Sequence, residues 1–288
     1  MKKSVKVLLV ILLVFVFLFG LMAVLYPLIS NSENEKHQSE VQAEYHDAVE
    51  QAEDANITAA REAAIQYNEM LAHGTLEERN STLPEYVDLL NLSGNGVMGY
   101  VEIPRLELSL PIYHGDTNDG LEIGVAHLFG TSLPVGGEST HAVISGHSGM
   151  ASQRMFTDLT SMEIGDIFYI DVLGERLAYQ VDQIEQVLPN DNSKIMSESG
   201  KDYVTLLTCT PYMINTHRLL VRGTRIEYHA AEKIVEAMPE VKVESEWLRQ
   251  YWRGIISGLF ILLVIILVAT VIALIRKGRK KRGAKRKD

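Results

Sequence analysis

Two long apolar runs lie near the ends of the chain. Residues 7–26 and 255–275 are runs of 20 and 21 positions without a charged side chain. At about 1.5 Å per residue, a helix of either length crosses the ~30 Å hydrocarbon layer of a bilayer. The alternative for the first run is a cleavable signal peptide, whose apolar core spans only roughly 7–15 residues before a small-x-small cleavage site. The pattern therefore predicts a transmembrane helix near each end.

Between these runs the apolar pattern changes once. Residues 30–74 are polar apart from a stripe of Val41, Tyr45 and Val49, which predicts one or two polar helices. From Tyr100 onward the apolar positions alternate, which is typical of strands. About eight short strands are predicted, among them 100–103, 106–112, 141–147, 167–172, 176–188, 203–209 and 217–228, with short helices near 121–129 and 156–162. A mainly β fold of this kind is expected to close into a barrel, because closure removes exposed strand edges.

The same pattern, together with the charges described next, predicts the domain boundaries. They are a cytoplasmic tail (1–6), a transmembrane segment or signal anchor (7–26), an extracellular helical spacer and loop (27–96), a β-barrel (97–230), a juxtamembrane stalk (231–254), a transmembrane helix (255–275) and a basic cytoplasmic tail (276–288).

The distribution of charge predicts the membrane topology and disfavours one class of partner. Lys2, Lys3 and Lys6 precede the first apolar run, and nine of the last thirteen residues are basic. Positive charge stays cytoplasmic, so both termini are predicted inside and residues 27–254 outside the cell membrane. That external segment holds 15 basic and 36 acidic residues, a net charge of −21. Such a charge disfavours anionic partners such as nucleic acid.

The single cysteine, Cys209, is a candidate nucleophile. It ends an apolar strand and is followed by Pro211, where a ladder stops and side chains become reachable. One alternative is a buried cysteine that acts only as a small apolar residue. Because a free thiol is only a few per cent ionised at pH 7, a catalytic cysteine needs a base or a cation beside it.

Two residues are suited to that role. His147 lies between two glycines at the end of a strand, in a position that mirrors Cys209. Arg218 follows Cys209 by nine residues, so a hairpin would bring the two together, and its guanidinium could donate hydrogen bonds to an oxyanion. Arg222 and Arg225 are predicted to form surface ion pairs. Ser148 is a poor alternative nucleophile, since neighbours in sequence rarely face each other.

The residues around Cys209 resemble a known family. The stretch TLLTCTPYMINTHRLLVRG (205–223) is similar to the signature of class C sortases, the pilin-polymerising transpeptidases of Gram-positive bacteria. The motifs GYVEIP (99–104), GTSLPVGG (130–137) and FTDL (156–159) extend the resemblance over roughly 99–228. It implies an eight-stranded sortase barrel with Cys209 as nucleophile, His147 as general acid/base and Arg218 as the oxyanion and substrate-positioning group.

The resemblance also implies a reaction and its partners. The substrates are pilin subunits or surface proteins with an LPXTG-like sorting signal, whose Thr–Gly bond is cleaved through a thioacyl intermediate on Cys209. A lysine amine of another pilin then forms an isopeptide bond. Alternatives are anchoring of surface proteins to cell-wall precursor, net hydrolysis by a cysteine endopeptidase, and a non-enzymatic surface scaffold. No zinc-spaced cysteines and no EF-hand loop occur, so neither a metal nor a cofactor is predicted.

Two departures from the family pattern stand out. Class C sortases commonly carry a lid with an Asp-Pro-aromatic motif ahead of the barrel, but none of the eight prolines here follows an aspartate. We therefore expect a cleft that is open, or one that is covered by a differently built segment within 72–95. In addition, Ser148 and Gly149 follow His147 where many members have Arg-Gly.

Overall fold

The computed structural model describes residues 3–73, 85–115, 123–150, 152–238 and 245–284. The chain divides into two compact units, residues 1–243 and 244–288, which we describe separately. The first unit contains helices α1 (Lys3–Gln51), α2 (Asp54–His73) and α3 (Tyr228–Ala237), and the second contains α4 (Glu246–Ala284). By length and composition alone, Val14–Gln51 of α1 and Glu246–Ile272 of α4 could cross a membrane.

Eight strands form a closed barrel. They are β1 (Val97–Ile103), β2 (Leu108–His114), β3 (Val125–His127), β4 (Thr140–Ser145), β5 (Ile167–Val172), β6 (Glu175–Val187), β7 (Asp202–Thr210) and β8 (His217–Ile226). The order around the barrel is β1-β2-β3-β4-β7-β8-β6-β5, and an antiparallel pairing of β5 with β1 closes it. The predicted mainly β barrel is confirmed.

One predicted element is corrected in part. A short helix is expected near residues 121–129, but Val125–His127 is strand β3, which pairs parallel with β2 and antiparallel with β4. Residues 121 and 122 lie outside the described residues. These three residues are fully buried, and the pairing on both sides decides their conformation. The other predicted short helix is confirmed, since Thr157–Ser161 forms a 3₁₀ turn.

The N-terminal helices pack against the barrel with their apolar stripes. Val41 and Tyr45 of α1 are buried against Val97, Tyr100 and Tyr113, as the four-residue spacing predicts. The Tyr45 hydroxyl donates a hydrogen bond to the carbonyl oxygen of Met98 and accepts one from the backbone N–H of Leu173, at 3.1 and 2.9 Å. These contacts hold α1 across β1 and the turn after β5.

A buried histidine, His127, lies at the end of β3. Its Nε2 is 2.8 Å from the Ser132 carbonyl oxygen, and its Nδ1 is 2.7 Å from the Tyr86 hydroxyl. A neutral ring meets both contacts by donating to the carbonyl from Nε2 and accepting the hydroxyl proton at Nδ1. Burial disfavours the imidazolium and lowers the pKa of His127 from 6.5 to about 4. The ring is therefore neutral at physiological pH.

His127 predicts a loss of stability in mild acid. The unfolded chain takes up a proton at this histidine as the pH falls below 6.5, whereas the folded chain does so only near pH 4. The stabilisation is thus complete above pH 6.5 and declines toward pH 4, and by pH 5 the loss is about 2 kcal/mol. Denaturation at pH 7 and pH 5, followed by near-ultraviolet circular dichroism, measures it. His127→Gln should flatten this pH dependence, while the exposed control His37→Gln should leave it unchanged; equal pH dependence in all three proteins would contradict the assignment.

Candidate active site

Cys209 lies near the end of a central barrel strand. Strand β7 pairs parallel with β4 and antiparallel with β8, so its backbone is held on both sides. The pairing with β4 ends at Ser145 and Leu207, two residues before the cysteine. The Cys209 side chain is half-buried, which leaves the thiol open to a groove at this end of the barrel.

Arg218 is directly opposite Cys209 in the antiparallel pairing of β7 and β8. This confirms the hairpin that the nine-residue spacing predicts. Its Nη1 donates hydrogen bonds to the carbonyl oxygens of Asn215 and His217, both at 3.3 Å, so the loop between the strands orients the guanidinium. Within the described part of the chain Arg218 forms no ion pair, and its charge is available to a ligand.

The two other arginines of β8 have different surroundings. Arg222 binds the carboxylate of Asp182 at 3.0 Å, and Arg225 lies 3.9 Å from that of Asp202. The prediction that both form ion pairs is confirmed. Arg218 is thus distinguished from its neighbours on the same strand by the lack of a described carboxylate partner.

His147 follows β4 in a loop that stays next to β7. The backbone N–H of Gly146 donates to the Leu207 carbonyl oxygen at 2.9 Å, and the Thr208 hydroxyl donates to the Gly146 carbonyl oxygen at 2.7 Å. A side chain at Gly146 would collide with Phe156 and Val125, each less than 3 Å from the position of a Cβ atom. Glycine at 146 therefore lets the loop lie close to the barrel and brings His147 to the same end as Cys209.

A groove of about 340 Å³ brings the three predicted residues together. Its lining combines apolar side chains with these three residues and a few other polar ones. The lining residues are Leu128, Ser145, Gly146, His147, Val187, Leu188, Pro189, Asp191, Asn192, Ile195, Leu207, Cys209, Arg218 and Leu220. A thiol, an imidazole and a guanidinium on one groove are the groups needed for a nucleophile, a proton carrier and an oxyanion donor.

Sequence reasoning missed one wall of this groove. Leu188, Pro189, Asp191, Asn192 and Ile195 come from the long loop between β6 and β7. The Asp191 carboxylate accepts hydrogen bonds from the backbone N–H and hydroxyl of Ser193, which lower its pKa and shape a turn in this loop. The length of the segment between the two predicted strands was the available signal, but nothing in the sequence shows where the loop folds.

His141, at the start of β4, helps to hold that loop. Its Nδ1 is 3.0 Å from the Met196 carbonyl oxygen, and its Nε2 is 2.7 Å from the Thr205 hydroxyl. Burial lowers the pKa of His141, which favours a neutral ring that donates to Met196 and accepts from Thr205. His141 therefore lies in the barrel wall and helps to hold the loop between β6 and β7 in place.

Part of the expected lid segment is described. Residues 85–95 do not line the groove; Tyr86 instead packs edge-on against Phe129 and His114, and its hydroxyl contacts His127. No aromatic or acidic side chain of this stretch covers Cys209. Residues 72 and 73 of the expected segment end helix α2, and residues 74–84 lie outside the described residues.

Comparisons with known proteins agree with this geometry. A family model described as a sortase domain matches residues 101–226. The structure is similar to that of sortase C1 from Streptococcus agalactiae, with 40% sequence identity, a TM-score of 0.61, and coverage of 65% of this chain and 98% of that chain. The chain belongs to the sortase family. It is a sortase-type cysteine transpeptidase, and its structural neighbours are of class C.

Other sortases are also similar to this chain, one by structure and two by sequence. Sortase C-1 from Streptococcus pneumoniae is 42% identical, with a TM-score of 0.60 and coverage of 66% of this chain and 99% of that one. Among curated sequences, sortase A of Bacillus anthracis is 29% identical over 142 residues, which are 49% of this sortase and 66% of the relative. Sortase D of Bacillus subtilis is 30% identical, with coverage of 44% and 63%. The alignments thus span about two thirds of these two curated relatives.

Proposed function

We propose that this sortase cleaves an LPXTG-like sorting signal through a thioacyl intermediate on Cys209 and joins pilin subunits by lysine isopeptide bonds. The observation that carries the proposal is the register of β7 and β8, which sets Cys209 opposite Arg218, together with His147 on the same groove. Each of the three has a defined role in acyl transfer.

In the first half-reaction the Cys209 thiol gives its proton to His147, and its sulfur attacks the threonine carbonyl carbon of the Thr–Gly bond. The carbonyl oxygen becomes an oxyanion, to which the Arg218 guanidinium donates hydrogen bonds. The intermediate collapses when the C–N bond breaks, and His147 gives a proton to the departing glycine amine. The products are a thioester on Cys209 and a released peptide with a free amino terminus.

The groove suits the apolar part of such a signal. Leu188, Ile195 and Leu220 line it, and a leucine or proline side chain of the substrate would be removed from water against them. Cys209, His147 and Arg218 lie on the same groove, where the scissile bond would lie. This arrangement supports an apolar recognition motif that is followed by a reacting carbonyl.

In the second half-reaction the ε-amine of a lysine on another pilin attacks the thioester. The new C–N bond forms as the C–S bond breaks. His147 takes a proton from the amine and passes it to the departing Cys209 sulfur, which restores the thiol and gives an isopeptide product. The likeness to sortase C1 structures, at TM-scores near 0.6, supports class C polymerisation over wall anchoring.

Membrane attachment completes the proposal. The helices Val14–Gln51 and Glu246–Ile272 each contain an apolar stretch long enough to cross a membrane and so to anchor the chain near both ends. Lysines before the first stretch and the basic run after the second favour cytoplasmic termini. The barrel would then lie outside the cell membrane, where pilin subunits are assembled.

A polymerisation assay tests the proposed function. Full-length protein in detergent, as wild type and as Cys209→Ala, is incubated with a pilin that ends in an LPXTG-like signal. We expect a ladder of covalent multimers on a denaturing gel, dependent on Cys209, with lysine isopeptide bonds identified by mass spectrometry. Cleaved monomer without a ladder would contradict polymerisation and indicate hydrolysis. In a parallel incubation that also contains wall precursor, products joined to the precursor in place of pilin multimers would indicate anchoring.

A further inference from the structure

We propose that Ser148 is a positioning residue for the acyl-transfer reaction, because it locks the His147 loop to the backbone of the nucleophile. The Ser148 hydroxyl donates a hydrogen bond to the carbonyl oxygen of Cys209 itself, with an Oγ–O distance of 2.5 Å. This inference rests on the proposed function, in which Cys209 and His147 react together.

The position of the bond follows from the barrel. Regular pairing of β4 with β7 stops at Ser145 and Leu207, so neither His147 nor Cys209 lies within that ladder. Strand β7 continues to Thr210 with only β8 beside it. Beyond residue 145, the separation of the two catalytic candidates therefore depends on individual hydrogen bonds of the loop.

Three such bonds connect the loop to consecutive residues of β7. Gly146 donates to Leu207 and accepts from Thr208, at 2.9 and 2.7 Å, and Ser148 donates to Cys209. His147 lies between the two anchored positions, 146 and 148. Of these three bonds, the Ser148 bond is the one that follows His147 in the sequence and that joins the loop to Cys209 itself.

Two further contacts hold the other side of the loop. The carbonyl oxygen of His147 accepts a hydrogen bond from the Phe156 N–H at 3.0 Å, and the Gly149 N–H donates to the Thr157 hydroxyl at 3.1 Å. These bonds tie the loop to the following turn, which is distant in sequence from β7. Without the Ser148 hydroxyl, the loop keeps these contacts but loses its link to Cys209.

The chemical consequence concerns distance. Proton transfer between the thiol, the leaving amine and His147 needs heavy-atom separations near 3 Å, and displacement by about 1 Å can cost roughly a hundredfold in rate. Ser148→Ala should therefore lower kcat about tenfold to a hundredfold with little change in KM, because the apolar groove that binds the signal stays intact. Ser148→Thr keeps a hydroxyl and should restore most of the rate.

A matched control separates positioning from stability. At the opposite end of β4, the Thr140 hydroxyl donates to the Gly137 carbonyl oxygen at 2.7 Å, the same type of bond far from the groove. Thr140→Val should leave kcat at the wild-type value. If kcat in the two variants instead follows their thermal midpoints, Ser148 has only a structural role and the inference is wrong.

A substrate-independent readout keeps the test decisive. The rate of alkylation of Cys209 by iodoacetamide in the full-length protein is measured at pH 7 for wild type, His147→Ala, Ser148→Ala, Ser148→Thr and Thr140→Val. We expect His147→Ala and Ser148→Ala to react several-fold more slowly than the other three proteins. Wild-type alkylation rates in Ser148→Ala would overturn the positioning role even where peptide cleavage is slower. Failure of wild type to cleave any sorting peptide would overturn the proposed function, while the alkylation rates would still decide the role of Ser148.

Discussion

Cys209→Ala should abolish cleavage of an LPXTG-like peptide, with kcat lowered by roughly four orders of magnitude or more. The side chain supplies the attacking atom, and loss of a nucleophile removes the covalent route entirely. The fold should survive, because Cys209 is half-buried at a strand end and alanine leaves the backbone pairing with Arg218 in place. Release of the glycine-containing product, followed by chromatography, measures the effect.

The control for this variant is its stability. The thermal midpoint of Cys209→Ala should match that of wild type within a few degrees, which shows that the activity is lost for a chemical reason. Ala142 offers a comparison within the neighbouring strand, since Ala142→Gly perturbs the barrel wall away from the groove and should retain the reaction. A Cys209→Ala protein that still cleaves the peptide at a comparable rate would contradict the assignment of the nucleophile.

The second large effect on the reaction rate is expected for Arg218→Gln. It should lower kcat by about 10²–10³, because the guanidinium is proposed to donate to an oxyanion that is fully developed only in the transition state. The KM should change less, since the apolar walls that bind the signal are unaltered. Arg218→Lys keeps the charge but loses the planar fork, and we expect an intermediate rate.

The matched control lies on the same strand. Arg225 pairs with Asp202 near the other end of β8, so Arg225→Gln removes the same charge without touching the groove. Steady-state kinetics of the Arg218 and Arg225 variants with one peptide give the comparison. An equal loss of kcat in both variants would mean that the net charge of the protein causes the effect. That result would contradict a direct role of Arg218 in the reaction.

The chemistry-bearing strands were predictable because their signals are local. Alternating apolar positions indicate β7 and β8, and the length of the loop between them permits a hairpin, in which the structure pairs Cys209 with Arg218. The glycines around His147 similarly indicate a strand end. These features depend on residues close together in the sequence, so the spacing of apolar positions and the turn-forming residues are sufficient to find them.

The parts that were missed depend on contacts between distant residues. Strand β3 has only three residues, and its conformation follows from β2 on one side and β4 on the other. The bond from Ser148 reaches a carbonyl 61 residues away. The groove wall formed by Leu188 and Ile195 depends on the packing of a long loop. No local pattern encodes these placements, since tertiary pairing decides them.

The central claim is that the acyl group is carried on Cys209, and intact-protein mass spectrometry tests it directly. Full-length protein is mixed with an LPXTG-like peptide, quenched in acid within the first turnover, and digested to locate any adduct. The account predicts a mass increase equal to the peptide up to its threonine, on the fragment that contains Cys209, removed by hydroxylamine and absent in Cys209→Ala. Efficient cleavage with no adduct on Cys209, or an adduct on another residue, would contradict it.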